Sequence, residues 1–207
     1  MKSLTHYIQE KLIIKKSIAK KNKATNYKYS PETKEELQDI ILKRIKNEGN
    51  EVNLNDIDVS KITDMSSLFE GTNFNGDISS WDVSNVTSMK SMFSNCESFN
   101  QDISSWDVSN VKDMSYMFFN CEKFNQDISE FDVSNVTNMY NMFCWCINFN
   151  QDISAWDVSN VTNMISMFYG CKSFNQDISS WDISNVTYMK DMFYSCPIEE
   201  KYKPKFK

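Results

Sequence analysis

FNGDISSWDVSNVTSMKSMFSNCES occupies residues 74–98, and four near-copies follow it without a break. They are FNQDISSWDVSNVKDMSYMFFNCEK at 99–123, FNQDISEFDVSNVTNMYNMFCWCIN at 124–148, FNQDISAWDVSNVTNMISMFYGCKS at 149–173 and FNQDISSWDISNVTYMKDMFYSCPI at 174–198. A sixth, degenerate copy, LNDIDVSKITDMSSLFEGTN, precedes them at 54–73 and is one residue shorter in its loop. A fixed period of this length is the mark of a tandem array, in which each unit buries its apolar side against the next.

Two periodicities run through each copy. Ile78, Trp81 and Val83 point inward in an extended segment, with Trp81 and Val83 alternating around Asp82 as in a strand. Met89, Met92, Phe93 and Cys96 sit at i, i+3, i+4 and i+7, one face of a helical turn, with Thr87 or Ser88 as its N-cap. The expected unit is therefore strand, tight turn, short helix or 3-10 turn, and return loop. The expected fold is an α/β repeat solenoid with a parallel strand ladder and short helices or 3-10 turns on the opposite face. Stacking sets Trp81, Trp106, Phe131, Trp156 and Trp181 in one column, and Cys96, Cys121, Cys146, Cys171 and Cys196 in another.

An array needs covered ends. Residues 30–53 read as an N-terminal helical cap: Ser30 is an N-cap, Pro31 a first helical residue, and Glu32, Glu35 and Glu36 suit the positive end. Leu37, Ile40, Ile41 and Ile45 form its apolar stripe, and Gly49 ends it. The division is thus a basic arm and linker at 1–29, the cap at 30–53, the repeats at 54–198 and a frayed tail at 199–207. Within the arm, residues 4–20 read as a basic, partly amphipathic helix.

Charge is segregated along the chain, whose net charge is −6. Residues 1–29 carry eight lysines against Glu10 alone, whereas residues 54–198 carry six lysines against nineteen acids. Nucleic acid is excluded as a partner of the repeat body, because such binding rests on cations neutralising phosphates. No apolar run is long enough for a transmembrane helix, and the first twenty residues lack the pattern of a secretory signal.

The aspartate column Asp82, Asp107, Asp132, Asp157 and Asp182, headed by Asp58, faces outward. It reads either as a ligand- or cation-binding stripe or as a set of carboxylates accepting hydrogen bonds from their own turns. The column Asp77, Asp102, Asp127, Asp152 and Asp177 carries the same two readings. Ser80, Ser105, Glu130, Ala155 and Ser180 vary beside the first column and complete the candidate binding surface. The cysteines read as reduced core thiols. Zinc has no support, since there is no C-x-x-C pair and His6 is the only histidine. Cys144 stands apart, because its equivalents Ser94, Phe119, Tyr169 and Tyr194 suggest an outward position. The methionines read as core. No nucleophile–base pair stands out, so neither an enzyme nor a cofactor is expected.

The pattern I-x-x-W-x-V-x-x-V-x-x-M-x-x-M-F-x-x-C-x-x-F resembles the leucine-rich repeats of BspA-like bacterial surface proteins. FNQDISxWDVSNVTNMxxMF looks like the 25-residue repeat, a domain of unknown function, found in bacterial surface lipoproteins. The resemblance spans 54–198 and implies surface display, adhesion to proteins of host or neighbouring cells, and no catalytic residues. The arm resembles short leaders on proteins of large bacterial viruses. Two functions therefore compete: a protein-binding or adhesion module at the cell surface, and a structural or decoration protein, cytoplasmic or virion-associated, docked through the basic arm. A third reading is a calcium-stabilised stack, motivated by the aspartates.

Overall fold

The computed structural model describes residues 27–205. The helix expected within 4–20, and nearly all of the basic arm, lie outside the described residues.

One α-helix, α1 (Lys34–Glu48), stands at the head of the repeats. Its N-cap is Thr33 rather than Ser30: the Thr33 hydroxyl accepts from the Glu36 amide at 3.2 Å. The Glu36 carboxylate reaches back to the Glu32 amide at 2.8 Å, a close relative of the capping box. Ser30 and Pro31 are drawn off the helix because Tyr29 is held in a parallel bridge to Ile57. Gly49, at φ 90°, closes the C-terminus by donating to the Ile45 carbonyl. Leu37 and Ile41 are completely buried and Ile40 and Ile45 pack beside them, so the predicted stripe is the one that covers the first copy. Arg44 ties the helix down through Asp56, at 3.0 and 3.1 Å to its two oxygens.

The expectation of an α/β solenoid with a parallel strand ladder is overturned. Among the described residues there is no extended strand, and apart from α1 the only helical element is a 3-10 turn at Glu200–Tyr202. The copies meet at isolated parallel bridges, one per copy, that run Asp64, Ser88, Asp113, Asn138, Asn163, Tyr188. The reason lies in the turns. Each supposed strand closes on itself twice, with Trp81 donating to the Ile78 carbonyl and Val86 to the Val83 carbonyl, so no pleat persists.

The supposed helix is also a chain of turns. The amides of Met92, Ser94 and Cys96 close three-residue turns onto the carbonyls of Met89, Ser91 and Phe93. The intervening amides of Met89, Ser91, Phe93 and Asn95 leave the copy and donate to Asp113, Ser115, Met117 and Phe119 of the next one, at 2.7–2.9 Å. Ser91 and Asn95 take φ of 55° and 59°, which an α-helix does not contain. A turn that advances three residues and repeats itself produces the same apolar spacing as a helix, which is why the periodicity misled. We call the span 88–96 and its equivalents the turn ribbon.

The inner space is filled by columns of identical side chains. Phe69, Phe93, Phe118, Phe143, Phe168 and Phe193 stack with centroids 5.4–5.8 Å apart and planes within 9°. Phe74, Phe99, Phe124, Phe149 and Phe174 form a second column. Such burial supplies the driving force that a single copy lacks. Gly76 departs from the glutamine of later copies for a visible reason: a β-carbon there would lie 1.9 Å from the Val52 carbonyl oxygen. The tail is not frayed through its described part. The Ile178 amide donates to the Tyr202 carbonyl at 3.0 Å, and Ile198 is buried.

Candidate interaction surface

The aspartates are the hinges of the turns. Asp82, Asp107, Asp132, Asp157 and Asp182 each accept, through Oδ1, from the amide two residues on, Ser84 to Ser184, at 3.0–3.2 Å. At Asp82, Asp107 and Asp132 the serine hydroxyl donates to the same oxygen at 2.6–2.7 Å. Asp77, Asp102, Asp127, Asp152 and Asp177 form the same loop with Ser79 to Ser179. Hydrogen bonds that favour the ionised form hold Asp127 and Asp152, bonded chiefly by the amides of Ser129 and Ser154, below the usual aspartate range. The Ser159 and Ser179 side chains do the same for Asp157 and Asp177.

The varied positions beside this column are partly committed too. The Ser80 amide donates to Asn55 Oδ1, and the Ser105 and Ser180 hydroxyls reach the carbonyls of Ser79 and Ser154 in the preceding copies. Glu130 and Ala155 are exposed. Among the described residues no group of three or more acids, cysteines or histidines is placed to hold a metal ion.

Sequence reasoning missed what the asparagines do. Asn85, Asn110, Asn135, Asn160 and Asn185 each donate from Nδ2 to a serine carbonyl one copy back, at 2.7–2.8 Å. The carbonyl Oδ1 of Asn75, Asn100, Asn125 and Asn150 accepts from the equivalent amide of the next copy at 2.9–3.0 Å. The indoles of Trp81, Trp106, Trp156 and Trp181 donate to buried carbonyls of Leu54, Ile78, Ile128 and Ile153. Cys96, Cys121, Cys146 and Cys171 donate from Sγ to the carbonyls of Phe69, Phe93, Phe118 and Phe143 at 2.7–2.9 Å. All six thiols are free. Burial pushes the Cys96 thiol up to about 12 and those of Cys121, Cys146 and Cys171 well above the ordinary value. Cys144, expected to point outward, is only 5% exposed, though it sits outside the main core. Burial pushes it to about 11.

Much of what the copies do not share lies along the turn ribbon. Lys90, Ser115, Tyr140, Ile165 and Lys190 are equivalent there, as are Ser94, Phe119, Cys144, Tyr169 and Tyr194, and Asn95, Asn120, Trp145, Gly170 and Ser195. Aromatic rings meet along this side. Tyr116 lies edge-on to Phe119 and Tyr140, at 5.6 and 4.9 Å, and Trp145 lies edge-on to Tyr169, which stacks on Tyr194 at 4.9 Å. Trp145 is 40% exposed and Tyr194 60%. Gly170 makes room for the indole: a β-carbon there would stand 2.7 Å from Trp145 Cε3. Lys172 lies over the same ring at 5.9 Å. The signal was present in the sequence as variation at fixed repeat positions.

Residues 41–144 and 126–202 match the family described as Mycoplasma protein of unknown function, DUF285. The chain belongs to this family. No curated protein matches the chain, and no solved structure does. DUF285 is a bacterial family, and its matched span here runs from the middle of α1 through the last copy into the 3-10 turn. In this DUF285 chain no described helix is long and apolar enough to cross a membrane.

Proposed function

We propose that the protein is a non-catalytic protein-binding module, displayed at the cell surface for adhesion, and that its partner meets the outer side of the turn ribbon. The observation that carries this reading is the row Tyr116, Phe119, Tyr140, Trp145, Tyr169 and Tyr194 at positions where the copies differ. Tyrosine and tryptophan supply large contact area with few rotatable bonds and are enriched where binding energy concentrates. The aspartates and asparagines that hold the turns and join the copies, such as Asp82 and Asn85 and their equivalents, repeat from copy to copy, whereas the positions of Tyr140, Trp145 and Tyr169 vary. The aspartate side supports the reading by contrast, since its carboxylates already serve their own turns. The resemblance to BspA-like surface proteins supports display and adhesion.

The test compares the wild type with a Tyr140→Ala/Trp145→Ala/Tyr169→Ala variant and with a Glu130→Ala control. Immobilised protein should retain a partner from cell-surface or host extracts, lose it with the triple substitution and keep it with the control. Retention by the triple variant would end the proposal. Display is tested by treating intact producing cells with protease: the repeat body should be cut without lysis.

A further inference from the structure

The turn ribbon has a polarity that leaves the last copy unlike the others. In every copy the outward amides face the C-terminal end and the matching carbonyls face the N-terminal end. Thus Met164, Ser166, Phe168 and Gly170 donate to the carbonyls of Tyr188, Lys190, Met192 and Tyr194 at 2.7–3.0 Å. The equivalent amides of the last copy belong to Met189, Asp191, Phe193 and Ser195. Among the described residues no acceptor takes a hydrogen bond from any of these four amides, although their carbonyls at Met189, Asp191 and Phe193 close turns and the Ser195 hydroxyl accepts from Lys172. Met164 and Phe168 are completely buried, whereas Met189 and Phe193 remain half-buried and Tyr188 is 61% exposed. The described part of the tail covers the neighbouring sector instead: the Tyr202 carbonyl accepts from the Ile178 amide, the Glu199 amide donates to Asn175 Oδ1, and Lys203 lies over the Phe193 ring of the ribbon.

An edge of amides selects its occupant. Two such ends brought together would set donor against donor, so tail-to-tail pairing of this edge is disfavoured. The head of another molecule is covered by α1. The complement is a segment with carbonyls at alternate residues and large apolar side chains three and four residues apart. Residues 88–94 already do this inside the molecule, where the carbonyls of Ser88, Lys90, Met92 and Ser94 accept from Met65, Ser67, Phe69 and Gly71 at 2.8–3.0 Å. We propose that the C-terminal end of the stack is a second binding site, distinct from the aromatic side, which takes up a parallel M-x-x-M-F peptide segment of another protein chain by main-chain pairing. This is augmentation of an open edge, with affinity from the amide row and selectivity from the pockets around Met189 and Phe193.

The probe is the blocked synthetic peptide VTSMKSMFSNC, residues 86–96 of this chain, added under reducing conditions to the full chain. Saturable binding should slow hydrogen exchange at the amides of Met189, Asp191, Phe193 and Ser195 at least tenfold. Unchanged exchange at high peptide concentration, or equal slowing by a scrambled peptide, would overturn the proposal. Phe193→Asp should weaken peptide binding at least tenfold while exchange within 139–145 stays as in the wild type. Tyr188→Glu, at an exposed side chain, should do the same without touching the core; undiminished binding in either folded variant refutes the site. Trp145→Ala should leave peptide binding intact, and a loss there would place the peptide on the aromatic side instead.

Discussion

Asp157 and Asn163, six residues apart, perform the same act: each accepts through Oδ1 from the amide two residues further on, at 3.0 and 3.1 Å. What the two hinges share is the acceptor, which an amide supplies as well as a carboxylate. Asp157→Asn should therefore cost less than Asp157→Ala, which should cost about 1 kcal/mol in denaturant unfolding. The lowered carboxyls of Asp127, Asp152, Asp157 and Asp177 contribute stability that is present above the ordinary aspartate value near 3.8. That contribution is lost as pH falls through their depressed folded values, so the melting temperature should decline in that window. The thiols have the opposite sign. Their folded values lie above the ordinary 9.0, so the folded chain keeps protons that the unfolded chain releases. Stability should be full below pH 9 and fall as pH rises toward 12, and a thiol reagent at pH 8 should modify Cys96, Cys121, Cys146 and Cys171 only after unfolding.

At the scale of one copy, the turn ribbon makes demands that a helix would not. Ser166 has φ 51°, where a β-branched side chain is strained, so Ser166→Val should destabilise by about 1–2 kcal/mol although its side chain is half-buried and polar. The tryptophan column has one gap. Phe131 sits where Trp81, Trp106, Trp156 and Trp181 donate an indole N–H to a carbonyl of an earlier copy. Phe131→Trp should restore a bond to the Ile103 carbonyl and stabilise by about 1 kcal/mol, read as a higher denaturant midpoint. Trp81 and Trp106 stack at 6.5 Å with planes 3° apart, which shows that consecutive indoles fit this column. Gly170→Ala should dislodge Trp145 and change its fluorescence while the rest of the column stays folded.

For the whole molecule, the same bonds recur from copy to copy, and neighbouring copies meet along equivalent bridges. Excising residues 124–148 should therefore leave a folded, shorter stack, since Cys121 through Lys123 would rejoin Phe149 in the register that Phe124 now holds. Circular dichroism and exchange protection of the remaining copies would check this. An excision of half that length should abolish folding, because every column would slip. Removing 27–53 should destabilise the first copy most, as it uncovers the side that Leu37 and Ile41 bury.

The apolar columns, the helix before the first copy and the burial of the cysteine column were readable from residue identity. Each depends on which side chains recur at which spacing, and burial follows apolarity directly. The path of the backbone between those side chains did not follow. Turns of three residues and helical turns of 3.6 place Met89, Met92, Phe93 and Cys96 alike, and only the partners of the amides distinguish them. Those partners lie 24 or more residues away, so the choice belongs to the stack rather than to the segment. The binding surface divides in the same way. Variation at Tyr140, Trp145 and Tyr169 was written in the sequence, but the meeting of Tyr116 with Tyr140 and of Trp145 with Tyr169, and the amides of the last copy that no described residue accepts from, exist only once neighbouring copies are in register.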